Sequence, residues 1–296
     1  MKILSFGSLN CDYVYSTDHF VAPGETISAL KRETFCGGKG LNQSISLAKA
    51  GANVFHAGCV GDDGDILVNA LSDAGVDTHL IKKVSAPSGH AIIEVDPSGK
   101  NRIIIYGGAN RCMTKEYIDS VLSEFSEGDF IVLQNEINAL DLIMKKAKAK
   151  KMKVVLNPSP MDESLKSVDT SLVDYMLLNE TEGYDMTGKS NPDEIISELE
   201  KKAPGISTVL TLGDKGARYS GKDGKYSFGI FRVKAIDTTA AGDTFTGFFI
   251  SSVSSGKTAE EALRIASAAS AIAVTRKGAS PSIPTMDEVE EFLKNN

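Results

Sequence analysis

The chain has 296 residues, a formal net charge of −7, and hydrophobic and charged fractions of 42% and 24%, the proportions of an ordinary globular protein rather than a disordered or fibrous one. The acidic balance argues against a nucleic-acid partner, because backbone binding rests on clustered Lys and Arg. The cysteines Cys11, Cys36, Cys59 and Cys112 show neither C-x-x-C pairing nor a histidine at ligand spacing, so reduced thiols are expected.

The chain opens on an apolar run, Ile3–Phe6, without the basic region and long apolar core of a signal peptide, and no run approaches membrane-spanning length. A cytoplasmic location and no membrane partner are therefore expected. Further short apolar runs at Val54–Val60, Phe130–Leu133, Val154–Leu156, Tyr175–Leu178 and Thr208–Leu212 read as buried strands. Helical periodicity lies between and after them at Gly40–Ala50, Ile66–Ala74, Lys115–Phe125, Ala139–Ala149, Pro192–Lys202, Asp243–Ser255, Ala259–Thr275 and Met286–Leu293. This alternation predicts an α/β fold, a central and mostly parallel sheet flanked by helices. The lysines between Lys145 and Lys153 fall on one of these helices and its end, and read as a solvated face.

Two stretches, at about 12–35 and 88–107, carry period-2 patterns instead of helices. In the second, His90–Val95, a turn at Asp96–Gly99 and Arg102–Tyr106 predict a hairpin. Together they read as a small β-sheet lid on one α/β domain spanning 1–296, able to close over substrate and exclude water. A structural hairpin or a dimer surface are the alternatives. No internal repeat or linker divides the chain.

The richest motif is Asp237-Thr238-Thr239-Ala240-Ala241-Gly242-Asp243, which joins a β-like stretch, Phe231–Ile236, to an apolar helix beginning near Asp243. With almost no side chain over Ala240, Ala241 and Gly242, backbone amides at a helix N-terminus can approach an anion such as a transferring phosphoryl group. Asp243 would sit in the same cradle as the base for an attacking alcohol. Taken alone, Asp243 would read first as a helix cap, and it is the complete string that favours the catalytic reading.

A second motif, Phe35-Cys36-Gly37-Gly38-Lys39-Gly40-Leu41-Asn42-Gln43, opens the helix Gly40–Ala50. Its glycines permit close backbone approach to a small polar ligand, Lys39 can donate to hydroxyls, and Asn42 can donate and accept. A plain glycine-rich turn is the alternative. Asn10 and Asp12 follow the first strand, at the end of a sheet where α/β proteins bind ligands, although Asx side chains also stabilise simple turns.

The two motifs, in this order, resemble the signatures of the ribokinase (PfkB-type) sugar kinase family, and the similarity runs through the chain, including Pro23-Gly24-Glu25-Thr26. The resemblance implies a ribokinase-like fold and an ATP-dependent sugar kinase, with D-ribose the first choice and 2-deoxyribose, another sugar or a nucleoside the alternatives. It implies that Asn10, Asp12, Gly38, Lys39, Asn42 and Glu136 hold the sugar. Asp243 would be the base and Ala240, Ala241 and Gly242 the anion hole. Asn179, Glu182, Thr211, Gly213 and Gly242 would serve ATP and Mg²⁺, although Asn179 and Glu182 could equally form a helix cap. Asp237, Thr239, Ala273, Gly278 and Ser282 match the family's K⁺ site, and a homodimer through the lids is implied as well. A sugar-sensing protein without turnover is the rival from another class.

Leu41 stands where ribokinases often carry Ala, and Cys36 also departs from the family. A near-match to a phosphate-binding loop at Gly216–Asp223 ends in Asp223 instead of Ser or Thr and precedes no helix, so a hairpin turn is expected there. His19, His56, His79 and His90 share no metal-binding spacing, and His56 reads as a packed structural residue.

Overall fold

The computed structural model describes residues 1–163, 165 and 168–296. A nine-stranded sheet forms the centre. Its strands in chain order are β1 (Ile3–Phe6), β4 (Val54–Val60), β5 (Ile81–Lys83), β8 (Phe130–Gln134), β9 (Lys153–Asn157), β10 (Tyr175–Asn179), β11 (Ser207–Thr211), β12 (Ala217–Gly221) and β13 (Gly224–Phe228). In space they run β13-β12-β11-β10-β9-β8-β1-β4-β5. The seven from β11 to β5 are parallel, and β12 and β13 pair antiparallel at one edge.

Both faces are covered, which is why the strands read as continuous apolar runs. Leu4, Phe6, Ile131 and Leu133 cluster with apolar residues of α3 (Lys115–Ser123), α4 (Leu140–Ala149) and α6 (Pro192–Lys202). Their strand neighbours Ile3, Phe130 and Val132 cluster instead with α1 (Lys39–Lys49), α2 (Asp65–Asp73), α7 (Ala241–Ser254), α8 (Ala259–Ala273) and α9 (Met286–Lys294). The period-2 alternation of a strand thus divides the core into two halves.

A second sheet of four strands contains β2 (Asn10–Ser16), β3 (Lys31–Gly37), β6 (Gly89–Val95) and β7 (Asn101–Tyr106), in the order β3-β2-β6-β7. The predicted hairpin is there: β6 and β7 pair antiparallel, and Asp96 Oδ1 accepts from the amides of Ser98 and Lys100 in its turn. The sheet begins at Asn10 and Gly89 and ends at Gly37 and Tyr106, close to the expected stretches.

Three local expectations change. Phe231–Ile236 is not a strand, because the sheet ends at β13. Phe231 packs on Phe228 and Phe292 instead, and the amides of Ile236 and Asp237 bond to the Val274 carbonyl beyond α8. Most of Gly216–Asp223 is the strand β12, with the hairpin turn only at its end. An additional helix, α5 (Glu180–Thr187), follows β10. Among the described residues no helix is long and apolar enough to cross a membrane.

Candidate active site

The two motifs meet because α1 packs along α7. Ser46 Oγ donates to the Thr244 carbonyl at 2.9 Å, and Ser251 Oγ to the Ala50 carbonyl at 3.0 Å. Gly247 permits the approach: a β-carbon there would run into Ser46 Oγ and lie 2.7 Å from the Leu47 amide nitrogen.

The helix expected to begin near Asp243 begins at Ala241, behind Ala240 in the left-handed region at φ 58°. Asp243 therefore lies inside the first turn and makes no cap bond; its buried carboxylate turns toward α1. Asn42 Nδ2 donates to Oδ2 at 3.2 Å, and Gln43 Nε2 to Oδ1 at 2.9 Å. The amide of Ala241, expected in the anion cradle, donates to the Thr238 carbonyl at 3.2 Å, because the backbone turn before the helix closes on itself. The amides of Gly242 and Asp243 have no backbone partner among the described residues, as the start of a helix requires.

Around this turn lies a cleft of about 260 Å³ lined by Lys39, Asn179, Glu182, Thr211, Ala240, Ala241, Gly242 and Asp243, together with Asn157 and Thr246. Burial works to lower the Lys39 pKa, but the carboxylates of Asp243, Glu136 and Glu182 outweigh it and push the value up, so the ammonium stays charged. Asn179 and Glu182 form a reciprocal capping box at the start of α5: Glu182 N donates to Asn179 Oδ1 at 2.9 Å, and Asn179 N to Glu182 Oε2 at 2.9 Å. The cap and the cleft lining are the same two residues. Gly213 heads a short turn after β11, outside the cleft lining.

Lys39 links the cleft to a second group of side chains under the small sheet. Gly38, at φ 92°, precedes α1 and offers no side-chain cap, so the helix's first amides find partners elsewhere. Lys39 N donates to Glu136 Oε2 at 2.9 Å and Gly40 N to Ser8 Oγ at 3.1 Å, while Ser8 Oγ itself donates to Glu136. Asn10 is buried, and its Oδ1 accepts from Asn110 Nδ2 at 2.7 Å. Asp12 is half-buried on β2; burial first, and the neighbouring Glu136 carboxylate second, raise its pKa to about 7.

The segments carrying Asp237 and Thr239, Ala273 and Gly278 are joined just before α7, through the Val274 carbonyl and the Gly278 amide. Asp237 Oδ1 accepts from Thr239 N and Oγ1 at 2.9 and 2.6 Å, and Oδ2 from Gly278 N at 2.9 Å. Partial burial opposes ionisation there, but these bonds prevail and hold the Asp237 pKa below its usual value. Ser282 is fully buried and donates to the Ala279 carbonyl at 2.7 Å; Ala273 closes α8.

Several residues of this arrangement carried no sequence expectation of their own. Gln43 closes the glycine-rich motif, and Ser8 and Gln134 lie two residues before Asn10 and Glu136. Asn157 had one available signal, a polar residue at the end of an apolar strand. Asn110 had none. His56 is fully buried, bonded to Ser44 Oγ at 2.7 Å, and burial lowers its pKa to about 3, in keeping with a packed structural residue.

The sequence matches the model of the pfkB family carbohydrate kinases over residues 1–286. A ribokinase of Haemophilus influenzae is 39% identical over 98% of this chain and 97% of its own. A deoxyribokinase of Salmonella typhi is 32% identical over the whole of both chains. The structure of Arabidopsis thaliana ribokinase complexed with ribose and ATP superposes with a TM-score of 0.87 at 30% identity, covering 99% of this chain and 98% of the other. A cleft with a carboxylate at a helix N-terminus, on a fold shared along its length with such enzymes, leads to one assignment: this chain belongs to the pfkB family of carbohydrate kinases.

Proposed function

We propose that the protein transfers the γ-phosphoryl group of ATP to the primary hydroxyl of D-ribose, giving ribose 5-phosphate. The observation that carries this reading is the Asp243 carboxylate, fixed beside free helix amides in a cleft it shares with Lys39 and Glu182. Asn10, Asp12, Gly38, Lys39, Asn42 and Glu136 hold the sugar. Asn179, Glu182, Thr211 and Gly242 border the nucleotide, with Gly213 on the turn just beyond Thr211. Asp243 takes the hydroxyl proton as the oxygen bonds to the γ-phosphorus. The bond from that phosphorus to the bridging oxygen breaks, and ADP leaves with the electron pair. The amides of Gly242 and Asp243, with the Lys39 ammonium, stabilise the charge on the transferring group.

Among the described residues no three acidic, His or Cys side chains gather into a metal cage. Glu182, in the cleft lining, is the carboxylate that would stand beside Mg²⁺, a cation that keeps much of its water and is held largely by phosphates. When bound, Mg²⁺ neutralises phosphate charge. The ionised Asp237 carboxylate, with the Thr239 hydroxyl beside it, supports a K⁺ site near the anion cradle.

The chain works as one unit, 1–296, with the small sheet as a lid. Its edge strand β7 is exposed throughout, with Ile103, Ile104 and Ile105 at 50%, 69% and 57% exposure. An open apolar edge of this kind calls for a partner, and a second copy of the chain is that partner. The enzyme works in the cytoplasm. A second reading, 2-deoxyribose as acceptor, is favoured by the full-length match to a deoxyribokinase.

The test is ADP formation with ribose, 2-deoxyribose and other sugars, then with Asp243→Asn. Ribose is expected to give the highest kcat/KM, and the variant to lose on the order of 10²–10⁴-fold in kcat while still binding sugar. Full activity in Asp243→Asn would remove the base assignment; sugar binding without any ADP would make the protein a sensor.

A further inference from the structure

Below the cleft, Asp243 is tied to a chain of buried amides. Gln43 is fully buried on α1. Its Nε2 donates to Asp243 Oδ1 at 2.9 Å and to Asn157 Oδ1 at 3.1 Å, while its Oε1 accepts from Gln134 Nε2 at 2.7 Å. Asn157, at the end of β9, donates its own Nδ2 to the Leu177 carbonyl of β10 at 2.9 Å. Gln134, at the end of β8, is also fully buried.

The direction of this chain is dictated from one end. A backbone carbonyl can only accept, so Asn157 must turn its NH₂ to Leu177 and its oxygen to Gln43. Gln43 must then present its NH₂ to Asn157, and the second hydrogen of that group points to Asp243. Rotating the Gln43 amide by half a turn would set its oxygen against two acceptors and its NH₂ against a donor. Asn42, the other residue bonded to Asp243, lacks such an anchor: its Oδ1 has no partner among the described residues.

We infer that Gln43 is a positioning residue for phosphoryl transfer: the Leu177–Asn157–Gln43 chain holds the Asp243 carboxylate in the orientation that takes the acceptor hydroxyl's proton. Gln43 is fully buried and lies outside the cleft lining; it acts through Asp243. Two strands and two helices thereby share control of one carboxylate: β9 and β10 set the amide direction, α1 carries the donor and α7 the base. The inference rests on Asp243 being the base.

The experiment is a double-mutant cycle on the full-length enzyme with ribose and MgATP. Gln43→Met preserves length and volume without a donor. It is expected to lower kcat on the order of 10- to 100-fold, the effect of misplacing a reacting group by about an ångström, with KM for ribose within about twofold, since the sugar contacts lie elsewhere. On an Asp243→Asn background the same substitution is expected to cost nothing further in kcat, because the base it orients is gone. Wild-type kcat in Gln43→Met, or an equal loss on both backgrounds, overturns the inference. Full activity in Asp243→Asn alone would instead overturn the base on which it rests, so the two failures are distinct. If Gln43→Met does not fold, Asn157→Leu removes the anchor from the other end: a several-fold lower kcat supports the inference, and an unchanged kcat overturns it.

Discussion

Asp12 gives the sharpest prediction, because its pKa of about 7 puts its ionisation at the centre of the working pH range. A sugar hydroxyl donates a stronger, charge-assisted hydrogen bond to an ionised carboxylate, whereas a protonated one is the weaker acceptor and adds a competing donor. With a pKa of about 7, roughly ten parts in eleven are ionised at pH 8 and roughly one part in eleven at pH 6. The apparent dissociation constant for ribose is therefore expected to rise about tenfold from pH 8 to pH 6, with roughly 0.9 proton released per sugar bound at pH 6. Calorimetric titrations in buffers of different ionisation enthalpy measure both quantities without turnover. Glu136→Gln removes the second cause of the raised pKa, so the transition should move to lower pH; Asp12→Asn should abolish it. Ribose affinity that stays constant between pH 6 and 8, or the same pH dependence in Asp12→Asn, would refute the reasoning. Stability follows with the opposite preference. A carboxyl whose folded pKa lies above its unfolded 3.8 destabilises the fold fully above pH 7, and the penalty fades as pH falls from 7 toward 3.8. Asp12→Asn should accordingly raise the Tm at pH 8, with a gain that shrinks toward pH 4.

Three further outcomes are expected. Asp237→Ala should remove any difference between rates in potassium and in a bulky organic cation; a retained difference would locate the monovalent ion elsewhere. Ile104→Lys, at the most exposed of the β7 isoleucines, should shift sedimentation from dimer toward monomer, and an unchanged distribution would put the interface on another face. Asn110→Leu leaves the Leu9 amide and Asn10 Oδ1 without their bonds, a cost of about 1–3 kcal/mol per buried group. KM for ribose should rise on the order of tenfold while KM for ATP stays the same, and a change confined to ATP would contradict the place of Asn10 in the sugar site.

The strands β1, β4 and β8 to β11 were legible because burial on both faces leaves an unbroken apolar run. β5, β12 and β13 were not: β5 is three residues, Ile81–Lys83, held by pairing with β4, and β12 and β13 form the antiparallel edge, where glycine and polar residues interrupt the apolar run. Helix α5 is short and mostly polar, with Gly183 at its middle, and its local support is the capping box. Phe231–Ile236 misled because aromatic and β-branched residues also suit a segment packed past a sheet edge. At the site, Asp243 and Lys39 announced themselves through small-residue neighbours that a backbone approach requires. The bonds that orient them did not: Gln43 lies 114 residues from Asn157, and Asn10 lies 100 from Asn110. Such pairs are set by how sheets and helices stack, and local pattern carries no trace of them.

The chain leaves the large sheet at Phe6 and enters the small one at Asn10. The residues proposed to hold the sugar, from Asn10 to Glu136, all precede residue 137, and those proposed for the phosphates, Lys39 apart, follow residue 178. The two duties are therefore written in separate halves of the gene product. Substitutions in the first half can retune which acceptor is chosen while the second half keeps its handling of ATP, and a lineage can exchange one sugar for another without rebuilding its chemistry. Lys39 and Asp243 are the two points where each half reaches into the other.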